Sequence, residues 1–168
     1  MDELANRIRD AGTNVLALRG RLEAAGPWPL SDQWGTEPEA DWGPPEVLGH
    51  VAEMLPYWTD QLTDVLAGDR AAAVPFGRVA SDPERLARID ALRRRPIGEI
   101  LDEIDAGLDR TVAFVERLSA SDADRLGLHP TRGELTVAAS VERFIAGHLE
   151  EHVVQLRAIL DRSTSGSR

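Results

Sequence analysis

Two of the chain's four histidines, His148 and His152, sit four residues apart in the stretch FIAGHLEEHVVQL. On a helix turning about 100° per residue, His152 falls roughly 40° from His148, Val141 and Ile159 about 20° away, and Gln155 about 20° to the other side. Both imidazoles therefore share a sector with aliphatic residues. Positions i and i+4 are neighbours on a helix surface, so two ring nitrogens can converge on one ion. The alternative is a pair of core histidines, each needing a partner for both nitrogens or paying for desolvation. His50, in PPEVLGHVAEML, adds a third imidazole from another segment. Val47 lies about 60° and Val51 about 100° from it, which puts His50 within or beside the core-facing sector. Three neutral imidazoles with an open fourth position match a catalytic zinc or nickel arrangement better than a closed structural one.

The other chemistry-bearing residues offer competing readings. HLEEH fits the H-x-x-E-H pattern of a metalloprotease group, with Glu151 as base. Those enzymes draw a third ligand from a carboxylate well downstream, and Asp161 is the only acid after His152. A di-iron site needs Glu-x-x-His, but Ile145 and Leu149 occupy those positions ahead of His148 and His152. Glu53, three residues after His50, and Glu151, three after His148, are the candidate catalytic bases near a metal-bound water. The reading preferred for each is a partner that orients a histidine, or a solvated carboxylate. His129 precedes Pro130 in a turn; it reads either as a pocket residue near the metal or as a turn histidine bonded to backbone. The chain has no cysteine, so disulfides, thiolate ligands and cysteine nucleophiles are excluded.

These residues need helices to position them. The composition, 42% hydrophobic with only 5% aromatic, favours helices over a ring-packed β-sandwich. A first helix is expected over residues 2–25, with Leu4, Ile8, Ala11, Val15, Leu18 and Leu22 at alternating spacings of three and four. A Pro-, Gly- and Trp-rich loop follows, and its Trp28, Trp34 and Trp42 suggest a cover over the protein's end. Pro44–Pro45 opens a second helix to about residue 66, with Val47, Leu48, Val51, Leu55, Trp58 and Leu62 inward and Pro56 as a kink. A linker covers residues 69–82. A short helix is expected over 82–94, a third long one from Pro96 to about 118, a short capped helix in SASDADRL, and a turn in GLHPTRGEL. Thr136 caps a fourth long helix ending near Asp161. The pattern predicts an all-α fold, a four-helix bundle with short extra helices in the connections, forming one domain over residues 1–161. Residues 162–168 are expected to be a disordered tail.

Charge narrows the function. The formal net charge is −10 at pH 7, which disfavours nucleic acid, whose affinity rests on neutralised phosphates. Arg93-Arg94-Arg95 is the one basic run and reads as a solvated helix end. No apolar run approaches the roughly 18 residues of a membrane span, and MDELANRIRD has no apolar signal core, so a cytoplasmic location is expected.

Taken together, His50 early in the second helix, HPTRGELTV leading into the last one, and the H-x-x-x-H of GHLEEHVVQL resemble the DinB/YfiT-like superfamily of metalloenzymes, over roughly residues 1–160. The resemblance implies a four-helix bundle of up-down-down-up topology, often a homodimer. It implies a divalent metal, zinc or nickel, on His50, His148 and His152. It also implies chemistry like that of mycothiol-dependent maleylpyruvate isomerase or the bacillithiol S-transferases. The partners would then be a small-molecule electrophile and a low-molecular-weight thiol. A hydrolase using metal-bound water and a non-catalytic metal- or small-molecule-binding bundle remain alternatives.

Overall fold

The computed structural model describes residues 1–165. The chain is mostly helical. The expected first helix is divided into α1 (Asp2–Leu16) and α2 (Arg19–Ala24). At the junction Leu18 N donates to Val15 O, a tightened i to i+3 bond. The stripe survives the break: Ile8, Ala11, Val15, Leu18 and Leu22 are buried, while Leu4 is half-buried and its neighbour Ala5 takes the core position.

The loop after α2 folds back over the protein's end. Trp28 donates its indole N–H to Leu22 O at 2.8 Å. Trp42 is buried, and Trp34 packs on it with ring centroids 5.3 Å apart. A single 3-10 turn, Glu39–Asp41, leads to α3 (Pro44–Ala67), which opens on two prolines and continues through Pro56 to Gly68. α4 (Pro83–Arg93), capped by the Asp82 carboxylate, lies against the start of α3. The approach is close at Gly49, where a Cβ would stand 3.1 Å from Arg93 N and 3.3 Å from Ile89 O. Beside it, Glu46 and Arg93 form a buried ion pair at 2.8 Å, and the Arg93 guanidinium lies 4.8 Å over the Trp34 ring.

α5 (Ile97–Glu116) packs on α3 and α1, and its Ile100, Leu101, Ile104, Leu108, Thr111 and Val115 enter the core. Each buried Leu or Ile contributes about 1.5–3 kcal/mol relative to exposure. The short capped helix is α6 (Ala120–Ala123), closed by a Ser119–Asp122 capping box.

Two segments depart from the all-helical expectation. GLHPTRGEL, read as a turn, is mostly a hairpin: β2 (Leu126–His129) pairs antiparallel with β3 (Gly133–Thr136), and Gly133 takes φ 73° between them. β1 (Val74–Pro75), in the expected linker, adds parallel to β2. The last long helix is also interrupted. It runs as α7 (Val137–Val141), a π-helical turn (Glu142–Ala146), and α8 (Gly147–Ser165). Gly147 permits the wide turn, since a Cβ there would stand 3.1 Å from Glu142 O. π turns of this kind recur at functional sites. α8 thus carries residues 162–165 of the expected tail as helix; residues 166–168 lie outside the described residues.

Candidate metal centre

α3 and α8 bring the three predicted histidines together. His50 Nε2 lies 2.9 Å from His148 Nε2, which is 3.2 Å from His152 Nε2. His50 and His152 are buried, while His148 keeps 25% of its side chain exposed. The two histidines of α8 are therefore not equivalent: His152 faces the core and His148 faces a cleft. A fourth group completes the cluster. One donor atom each from Glu39, His50, His148 and His152 lies within 4.8 Å of the others.

Glu39 had no signal in the sequence. It sits on the 3-10 turn of the tryptophan loop, where no periodicity predicts a side chain's direction. Its Oε2 is 3.7 Å from His148 Nε2, and its Oε1 accepts from Arg85 Nη2. The loop is tied down by Gln155, whose Nε2 donates to Glu39 O at 2.8 Å. Trp42, at the loop's end, covers His50 edge-on with centroids 5.7 Å apart.

The second nitrogens of the rings decide what the first can do. His148 Nδ1 donates to Glu151 Oε2 at 3.2 Å, because a carboxylate only accepts. Its Nε2 then carries a lone pair. With the Gln155 Nε2 committed to a carbonyl, its Oε1 accepts from His152 Nδ1 at 3.0 Å, which frees the Nε2 lone pair of His152 as well. His50 differs. Its Nδ1 faces Arg85 Nη2 at 3.4 Å, and a guanidinium cannot accept. In this arrangement His50 is the ring that donates from Nε2, to His148 at 2.9 Å.

The donor set is compatible with a metal ion. Tetrahedral ligands about 2.0–2.1 Å from zinc stand about 3.3–3.4 Å apart, close to the 3.2 Å between His148 and His152 Nε2. Burial, reinforced by His152, Arg85, His148 and Arg78, pushes His50 well below its ordinary pKa. Burial and then His148 push His152 down to about 4. Both rings are neutral near pH 7, as ligation requires.

The remaining predicted residues fall elsewhere around the site. Glu151 reaches His148 from an exposed position and orients it. Glu53 is buried and held by Arg78, whose guanidinium lies 3.5 Å over the Tyr57 ring; it is not part of the donor cluster. His129 is buried at the end of β2, where its Nδ1 accepts from Thr131 N at 3.3 Å. Its ring stacks with Phe144 at 5.1 Å, and a Cβ on Gly77 would stand 2.6 Å from its Cδ2. His129 is thus both a turn histidine and a pocket residue. It lines, with His50 and His148, a cleft of about 830 Å³.

A helical protein with a three-histidine, one-glutamate cluster at the wall of a cleft is a candidate metalloprotein. The sequence model of the DinB superfamily matches residues 15–156, and the chain belongs to that superfamily. No curated protein and no solved structure matches it. Among the described residues, no helix is long and apolar enough to cross a membrane.

Proposed function

We propose that this chain is a divalent-metal-dependent enzyme, with His50, His148 and His152 as ligands for zinc or nickel, acting as a thiol S-transferase or isomerase with a mycothiol-type cosubstrate. The observation that carries the reading is the convergence of three imidazole Nε2 atoms where His50 and His148 line an 830 Å³ cleft. A divalent ion bound there would lower the pKa of a thiol or water at its open position. The chain has no cysteine, so the thiol comes from solution. His152 and His148 are held by Gln155 and Glu151, and Trp42 shields His50 from water. Trp58, Phe144 and His129 offer the electrophile an aromatic wall. Hydrolysis needs a base beside the bound water, but Glu53 is buried outside the donor cluster and Glu151 is held by His148; this favours the thiol reaction.

Glu39 supports a second reading. Its carboxylate stands where it would close the coordination sphere, as a non-catalytic metal-binding protein requires. The up-down-down-up four-helix bundle, a homodimer and a cytoplasmic location belong to the same proposal; the packing of α1 and α3 on α5, and of α1 on α8, supports the bundle. The test is to load the protein with zinc or nickel and follow thiol consumption with a bimane electrophile across several low-molecular-weight thiols. Turnover that disappears in His148→Ala is expected. No turnover with any pairing leaves the binding-protein reading.

A further inference from the structure

The chain is strongly acidic, yet four guanidinium groups line the cleft: Arg78, Arg85, Arg132 and Arg143. Two of them are engaged. Arg78 holds Glu53 and Arg85 holds Glu39. Arg132, in the turn between β2 and β3, and Arg143, on the π turn, are exposed and make no ion pair among the described residues. Both stand near His129, whose pKa falls through burial and then through their charges. Beside them lies an aromatic stack that also lines the cleft. Phe144 stacks on Trp58 with centroids 4.3 Å apart and planes 8° from parallel, and on His129 at 5.1 Å.

We propose that the cleft takes a small substrate bearing a carboxylate on a flat, apolar body, with the carboxylate held by Arg132 and Arg143 and the body against Phe144, Trp58 and His129. The chain has no lysine, so its permanently cationic side chains are all arginines, and the planar guanidinium fork matches a carboxylate in two-point contact. Glu142, paired with Arg7, and Glu151, paired with His148, also line the cleft, and their charge favours a single negative charge over a phosphate dianion. The assignment rests on the metal-enzyme reading only for what happens at the substrate's other end.

The experiment is calorimetric titration of the full chain with benzoate, its neutral isostere benzamide, and phenyl phosphate. Benzoate is expected to bind about tenfold tighter than benzamide, the scale of one charge-assisted hydrogen bond. The R132Q/R143Q double variant, folded by circular dichroism, is expected to lose that preference. The H148Q/H152Q variant, stripped of two proposed metal ligands, is expected to keep it, so a failure of the metal reading is seen separately. The proposal is overturned by any of three results. These are equal binding of benzoate and benzamide, a preference that survives R132Q/R143Q, or one that vanishes in H148Q/H152Q because the carboxylate sat on a metal. Tighter binding of phenyl phosphate than benzoate overturns the carboxylate assignment.

Discussion

His50 and His148 stand 98 residues apart in the chain and 2.9 Å apart at their Nε2 atoms. Two imidazole nitrogens at that distance share one proton or one cation. His148 donates a hydrogen bond from Nδ1 to Glu151, and His152 donates one from Nδ1 to Gln155. Those two contacts leave lone pairs pointing at a common centre.

Removing those contacts should weaken the metal without removing it. Glu151→Ala and Gln155→Ala are each expected to lower metal affinity about 10- to 100-fold, the usual effect of losing a partner that orients a ligating histidine. Gln155→Ala should cost more, because Gln155 also secures the loop bearing Glu39. Competition against a chromophoric chelator measures this, and an unchanged dissociation constant in Gln155→Ala would contradict it.

Glu39 can be tested the same way. With cobalt in the site, Glu39→Ala is expected to change the visible absorption of the ion, because one of four nearby donors is lost. An identical spectrum in the variant means that Glu39 is no ligand.

The buried ion pair between Glu46 and Arg93 anchors α4 and the tryptophan loop to α3. Glu46 also accepts from Ser31 N at 3.0 Å. Glu46→Ala leaves a buried guanidinium with only Asp90 as its acidic partner. The expected loss is about 3 kcal/mol, the lower end for breaking a buried pair. Urea denaturation reads it, and a change below about 1 kcal/mol, typical of an exposed pair, would contradict the burial argument.

Stability should fall with pH below 6.5. Burial, then Arg132 and Arg143, lower the pKa of His129 from its ordinary 6.5. As pH falls from 6.5 toward the folded value, the unfolded chain binds a proton that the folded one refuses, so stability drops. His50 and His152, also lowered, add slope of the same sign. The urea midpoint should decline from pH 6.5 to about 5, less steeply in His129→Phe. A flat wild-type profile over that window would be inconsistent with three buried neutral imidazoles.

The imidazoles were legible because helical periodicity converts spacing into direction, which placed His148, His152 and even Gln155 in one sector. Glu39 was not, since an irregular loop carries no such code. The hairpin was hidden for a different reason. β2 turns Gly127 and His129 inward and Leu126 and Leu128 outward, inverting the alternation that marks a half-buried strand. The π turn left a trace only in Gly147, and the split after Leu16 none.

Metal content tests the central claim most directly. After incubation with zinc or nickel and removal of excess ion, elemental analysis should find about one ion per wild-type chain, the stoichiometry of a single mononuclear site. His50→Ala, His148→Ala and His152→Ala should each retain little or none. Wild-type levels of metal in all three variants, or no metal in the wild-type protein, would contradict the account.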